Sequence, residues 1–340
     1  MKQYLIPKNG NFYKANLHRH TVISDGSLTP EEVKQAYLEK GFSIVAYTDH
    51  EMIVDHSDLE DENFLPITAY ELSLNGTGDL RFGTNVPSYH INFYAKDKHN
   101  TVLPCFNEDY IWAPNSRAYI TDEMRKTKFE FKYTVDCVNY IIKKVTEAGF
   151  LACYNHPVWS MHSYPDYAPL KGLWGVEWHN HASVCGGYPD TIQPYDDLLR
   201  LGTRLCPIAT DDAHSLRGAF GGWVMVKAEK LEYSTVMGAL ERGELYSSTG
   251  PEIKELYIED GILHIETGEV REIMLTTERR VASKKTGNNI TSAEFDLNKY
   301  LTETKEKADI DEEKAYFRLT VTDHEGYVAH TRAYFVDEIK

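Results

Sequence analysis

The chain has 340 residues, 42% of them hydrophobic and 12% aromatic, and its 52 Asp and Glu against 36 Lys and Arg give a net charge of −16. That length suits a large globular domain plus a smaller one, and no run of about 18 apolar residues marks a membrane helix. So acidic a surface repels nucleic acid and anionic membranes, neither of which is expected as a partner, and an anionic substrate would need local positive charge.

The opening, MKQYLIPKNGNFYK, is broken by Pro7 and Asn9-Gly10 where a leader needs a continuous apolar core, so a cytoplasmic protein is expected. The stretch ANLHRHTVISDG, residues 15–26, starts as a buried strand and then presents His18, His20 and Asp25 before a glycine turn. Side chains two apart on a strand face the same way. Two imidazoles on one face are costly in a core and useful around a cation. A helix follows, with Thr29 as N-cap, Pro30 at its first position, Glu32 completing a capping box and Gly41 at its end.

FSIVAYTDH is the next strand and ends in Asp49 and His50; LPITAYELSL carries Glu71; YHINFYA has His90 at its start, after Tyr89. Residues from about 76 to 133, apart from that last strand, are polar and tyrosine-rich, and are expected to form a long insertion near a site. Beyond it come a helix ending at Gly149, a strand FLACYNHP with His156 near its end, and a strand LWGVEWHN with Glu177 and His179, followed at once by His181. A helix ending at Gly202, the strand LCPIATDDAH with Asp212 and His214, and a helix ending at Gly243 complete the series. Such repeated units with buried, non-alternating strands predict a parallel sheet, and seven of them a barrel.

After STGPEI the texture changes to short alternating segments separated by turns, including Asp260-Gly261 and Glu325-Gly326. This predicts an all-β sandwich of roughly 85 residues, hence domains 1–250 and 251–340. The charge run from Thr302 to Lys314 is expected to be a solvated loop. Cys105, Cys137, Cys153, Cys185 and Cys206 show no CxxC spacing and read as buried small hydrophobes in a reduced compartment.

A lone His-x-His or Asp-His pair is more often ordinary core or surface than ligand. Here, however, imidazoles and carboxylates recur at the carboxyl ends of successive predicted strands, the face on which parallel α/β proteins build sites. Separate hydrogen-bonding explanations for each are uneconomical beside one shared metal cluster.

The strings HRHTVISDG, YTDHE, YELS, YNHP and TDDAHS resemble the metal-binding motifs of the polymerase and histidinol phosphatase (PHP) superfamily, across about residues 14–250. ALERGELYSSTGP and YFRLTVTDHEGYVAHTRA are similar to a two-domain subgroup of metal-dependent phosphoesterases and carbaryl-hydrolase-like metallohydrolases. The resemblance implies a distorted (β/α)7 barrel with a small C-terminal β-sandwich-like domain and two or three divalent metal ions. It implies one ion on His18, His20, Glu71 and Asp212, a second on Glu71, His90 and His156, and a third on Asp25, His50 and His214. The segment around His90 departs from the family pattern. Asp211 competes with Asp212, and the spacing of DAH favours Asp212.

Mixed nitrogen and oxygen donors suit zinc, manganese or iron. The charge of such ions would outweigh that of Asp25, Glu71 and Asp212, leaving an electropositive site within an acidic surface. The expected activity is a phosphoesterase in which a metal-bridging hydroxide attacks a small phosphorylated substrate in line. The same ions would equally serve an ester, carbamate or amide hydrolase. A non-catalytic metal-containing binding module fits less well, because the ligand set leaves positions open for water. A pair of phosphate-binding arginines would favour phosphoesters; an apolar pocket without them would favour carbonyl substrates.

Among softer candidates, Asp49 either orients a ligand or a water or makes an ordinary strand-end hydrogen bond. His162 has the chemistry to protonate a leaving group. Arg19, Arg81 and Arg217 are candidate phosphate clamps, although most arginines merely face solvent. His179 and His181 are candidates for a pocket wall, and core packing is the first expectation for Trp159 and Trp174.

Overall fold

The computed structural model describes residues 2–76 and 86–340. It begins with β1 (Lys2–Tyr4), β2 (Asn11–Arg19), α1 (Pro30–Leu38), β3 (Ile44–Tyr47), β4 (Leu65–Asn75) and β5 (Ser88–Ala95). There follow α2 (Val135–Glu147), β6 (Phe150–Tyr154), α3 (Tyr164–Tyr167), β7 (Gly175–Asn180), α4 (His181–Cys185), α5 (Gln193–Arg200) and β8 (Cys206–Thr210). β9 (Trp223–Ala228), α6 (Tyr233–Arg242) and β10 (Leu245–Ser248) lead into the tail. The expected strands are β2 to β8, and the expected helices are α1, α2, α5 and α6. Thr29 and Glu32 form the reciprocal cap anticipated for α1. The glycines expected to end the four helices, Gly41, Gly149, Gly202 and Gly243, all have positive φ.

The fold is a mixed α/β arrangement built on one large sheet, in which β9-β2-β3-β4-β5-β6-β7-β8 are successive neighbours. β2, β3 and β4 are parallel, as are β6, β7 and β8. The all-parallel expectation fails at β5, which is antiparallel to both β4 and β6. Parallel neighbours need a crossover of about a dozen or more residues, whereas antiparallel neighbours can follow each other by a short connection. This reversal matters for the site. Ser73 stands opposite His90, so the start of β5 lies beside the end of β4. Beyond β8 the chain returns to β2: the Asp212 amide donates to the His18 carbonyl (2.9 Å) and the His20 amide to that of Ala213 (3.3 Å).

The segment expected as a polar insertion buries Leu103, Cys105, Phe106, Ile111 and Phe131 in one cluster with residues of β4, β5 and α2. Its described residues cover that flank with irregular chain and short 3-10 turns in place of a helix. Ser116 Oγ of this segment donates to the Ile23 carbonyl (2.9 Å), and the Trp112 ring lies 5.2 Å from that of His50.

The tail comprises β11 (Ile253–Glu259), β12 (Ile262–Thr277), β13 (Ala282–Asp296), α7 (Asn298–Glu306), β14 (Tyr316–Thr322), β15 (Val328–Thr331) and β16 (Tyr334–Phe335). All its strand pairings are antiparallel, and β15 pairs with β10, which makes the tail continuous with the main sheet. β1 pairs with β11, and Leu5 and Ile6 enter the tail's own apolar core with Leu297 and Tyr300. The charge run is not all loop, because Thr302 to Glu306 complete α7; Tyr300 and Thr304 give that helix a buried side. The five cysteines form no disulfide. Among the described residues no helix is long and apolar enough to cross a membrane.

Candidate metal centre

On β2 the pleat sends Asn16 and His18 to the inside, and His20 follows on the same side. The buried Glu71 carboxylate of β4 is the hub. His18 Nε2 and His156 Nε2 each lie 3.4 Å from its Oε1, His90 Nδ1 3.0 Å from the same oxygen, and His20 Nε2 and His50 Nδ1 3.4 and 3.2 Å from Oε2. Asp212 Oδ1 lies 3.2 Å from His18 Nε2 and 3.0 Å from His20 Nε2. Nearer solvent, Asp25 Oδ2 lies 3.1 Å from His214 Nε2 and 3.9 Å from His50 Nε2. All nine residues expected to bind metal thus come together. Donor atoms converge in three overlapping groups: His18, His20, Glu71 and Asp212; His50, Glu71 and His90; and His20, Asp25, His50 and His214. His156 stands beside these, with Asp212 Oδ2 at 3.7 Å.

Three non-glycine residues at the site have left-handed backbone: Glu51 (φ 54°), His156 (φ 29°) and Asp212 (φ 52°). Such conformations cost of order 1–3 kcal/mol each and persist where surrounding structure imposes them. At His156 and Asp212 they turn the chain out of the strand while its side chain stays over the cluster. Gly26 answers a different demand. A Cβ there would lie 2.6 Å from the His20 carbonyl, so only glycine closes the turn that carries Asp25.

A second layer of hydrogen bonds holds these groups. Glu177 is the member whose role the sequence did not disclose. Its Oε1 receives His18 Nδ1 (2.7 Å) and Thr210 Oγ1 (2.7 Å), and its Oε2 the His156 amide (3.1 Å) and Asn180 Nδ2 (3.0 Å). Asn155 Nδ2 donates to Glu71 Oε1 (2.8 Å), and Ser73 and Ser160 hydroxyls lie 2.9 and 3.2 Å from His50 Nδ1 and His156 Nδ1. Asp49 touches no cluster residue through these bonds. It accepts from the Thr21 and Ser24 amides and both their hydroxyls, and so shapes the turn leading to Asp25. Asp211 is spent elsewhere, accepting from Tyr37 Oη and the Phe220, Gly221 and Gly222 amides, which leaves Asp212 to the cluster.

The electrostatics favour positive charge. Burial acts against protonation of His20, yet Asp212 and Glu71 outweigh it and raise the ring to about 10. His18 and His156 are raised in the same way. Burial pushes His50 down to about 3, with the neighbouring His20 and His90 working against its protonation. Glu71 and Asp212 are held well below the usual carboxylate range, because the surrounding imidazoles overcome the burial that would raise them. Glu71 Oε2 accepts no hydrogen bond although buried between two imidazoles. A bare carboxylate oxygen among borderline nitrogen donors is the coordination chemistry of a zinc-like ion, so the residues present fit divalent metal.

The other candidates fall outside the cluster. His162 Nδ1 lies 2.5 Å from Tyr154 Oη and its Nε2 3.0 Å from Tyr133 Oη; burial holds the ring at about 4, neutral and engaged on both nitrogens. Arg19 points to the opposite face of β2, where its buried guanidinium binds the Ala213 and Ser215 carbonyls. Arg217 is exposed on a 3-10 turn, and Arg81 lies outside the described residues. His179 pairs with Asp190 (2.7 Å) and His181 with Cys185 (3.6 Å), away from the cluster. Trp174 packs with the core and donates to the Leu240 carbonyl. Trp159 does not belong with it: it lines the cavity in front of the cluster.

No family model and no curated protein matches the sequence. Among solved structures, the chain is similar to a two-domain protein from Bacteroides vulgatus ATCC 8482 described as containing a predicted PHP-like metal-dependent phosphoesterase. The identity is 14% and the TM-score 0.45, over 98% of each chain. An amidohydrolase from Chromobacterium violaceum, solved with bound sulfate and no metal, is 15% identical with a TM-score of 0.39, over 68% of this chain and 96% of that one. The lesion-specific endonuclease PfuEndoQ from Pyrococcus furiosus is 11% identical with a TM-score of 0.41, over 68% of this chain and 56% of that one.

Proposed function

We propose that the chain is a metal-dependent hydrolase of PHP type, acting as a phosphoesterase on a small phosphorylated molecule. One observation carries the reading: five imidazoles surround the buried Glu71 carboxylate, each within 3.4 Å of an oxygen. Gathering them costs desolvation that a bound divalent cation offsets. In this reading His18, His20, Glu71 and Asp212 hold one ion, Glu71 with His90 and His156 a second, and Asp25, His50 and His214 a third. His20 and His50 each stand close enough to serve two ions. When bound, such ions supply an activated water near neutral pH and charge to steady a developing anion. The chain's own residues arrange the rest. Glu177 accepts from His18 Nδ1, which leaves the Nε2 lone pair facing Glu71 and Asp212. Asp49 holds the turn that presents Asp25. We also propose a distorted (β/α)7-type barrel for residues 1–250 and a smaller β domain for residues 251–340, onto whose edge strand β11 the N-terminal β1 pairs.

A second reading, hydrolysis of an ester, carbamate or amide, is favoured by the cavity wall, to which no Lys or Arg contributes among the described residues. Metal analysis followed by turnover assays on p-nitrophenyl phosphate, a phosphodiester analogue and an aryl carbamate separates the two. We expect phosphoester turnover that falls by about a hundredfold or more in His20→Ala, with unchanged circular dichroism and reduced metal content. Carbamate turnover alone selects the second reading, and undiminished turnover in His20→Ala overturns both.

A further inference from the structure

The cavity in front of the cluster has a volume of about 290 Å³. Its floor is made of the candidate metal ligands, and its outer wall of Trp159, Ala182, Ser183, Gly186 and Tyr188. The Trp159 ring is fixed in place, standing near edge-on to His90 and His156 at centroid distances of 5.1 and 4.9 Å. Tyr188, on the loop after α4, is 42% exposed. The same two aromatics continue into a narrow crevice lined also by Pro157, Val158, Trp178 and Pro189.

We infer that the part of the substrate not attacked is an uncharged flat ring held against Trp159 and Tyr188, so that the substrates are aryl or heteroaryl esters. This rests on the hydrolase reading for the bond broken, while the ring subsite rests on its own walls. A second phosphate or a carboxylate at this end would be desolvated against a wall that offers no cation among the described residues. A sugar would need several convergent hydrogen-bond partners; the cavity wall offers the Ser183 and Tyr188 hydroxyls, while Asn180, Asp190 and Thr191 of the crevice are engaged by Glu177, His179 and the Gln193 amide. Aromatic walls reward a planar π-face instead.

The test titrates metal-loaded full-length protein with phenylphosphonate, cyclohexylphosphonate and methylphosphonate by calorimetry. Each is a tetrahedral anion that stands in for a phosphoester and for the tetrahedral intermediate of carbonyl hydrolysis. Phenylphosphonate is expected to bind about tenfold tighter than methylphosphonate, or 1.4 kcal/mol. The puckered cyclohexyl compound should fall between them. Tyr188→Ala, at an exposed position, and Trp159→Leu should each bring the phenyl-to-methyl ratio towards one, and Trp159→Phe should retain it. Equal affinities for the phenyl and cyclohexyl compounds, or an undiminished ratio in both Tyr188→Ala and Trp159→Leu, overturns the ring subsite. Phenyl preference without turnover of any ester defeats the hydrolase reading and leaves the subsite standing; turnover without phenyl preference does the reverse.

Discussion

Glu177 governs the site without belonging to the group of donors around Glu71. One carboxylate oriented by four donors fixes both the His18 ring and the backbone of His156. Its position inside a strand, among other ligand-type residues, carries no local mark of that role. Asp211 and Asp212 make the opposite case. Neighbouring carboxylates look alike in sequence, yet backbone torsion sends one to a nest of amides and the other to the imidazoles. His162 supplies a test of burial. The folded protein keeps it neutral down to about pH 4, whereas an unfolded imidazole takes up its proton near 6.5. Below 6.5 the unfolded chain therefore binds more protons, so stability from this residue is whole above about pH 6.5 and is lost as the pH falls towards 4. The loss should be on the order of 2–3 kcal/mol. Denaturant titrations of wild type and His162→Gln between pH 4 and 7 check it: the variant should show a shallower acid slope, and parallel slopes would contradict the assignment.

The helices follow their punctuation closely. Thr29→Ala removes the reciprocal cap of α1 and should cost about 1 kcal/mol in chemical denaturation, with no change in metal content. Tyr37 on the same helix donates to Asp211 Oδ2, so a larger loss would mean that the cap also supports the segment beside Asp212. Strand direction was less accessible. β5 has the composition of any buried strand, and nothing within it says which way it runs. Its reversal is what carries His90, a residue near the start of a strand, to the end of the sheet where its partners finish theirs. β13, ASKKTGNNITSAEFD, was invisible because most of its residues are exposed and polar; pairing with β12 alone makes it a strand.

Taken as a unit, the protein encloses a compact set of imidazoles and carboxylates within a surface of net charge −16. Divalent ions bound only by the folded state should stabilise it by about 2.7 kcal/mol at a hundred times the dissociation constant. Treatment with a chelator should accordingly lower the melting temperature by several degrees, and adding zinc or manganese should restore it. A melting temperature indifferent to chelator and metal would count against the cluster as a cation site.

The ligand types, their recurrence at strand ends and the punctuation of the helices were legible because they depend on short-range alternation, caps and turns. The meeting of those strand ends was not, since it depends on chain closure over great separations: His20 and Asp212 lie 192 residues apart and 3.0 Å in space. The direction of β5, the apolar layer hidden in residues 103–131, the turn of Arg19 away from the cluster and the engagement of His162 by two tyrosines follow from packing against distant segments. No local pattern encodes such packing, because each partner's contribution becomes favourable only when the other is already in place.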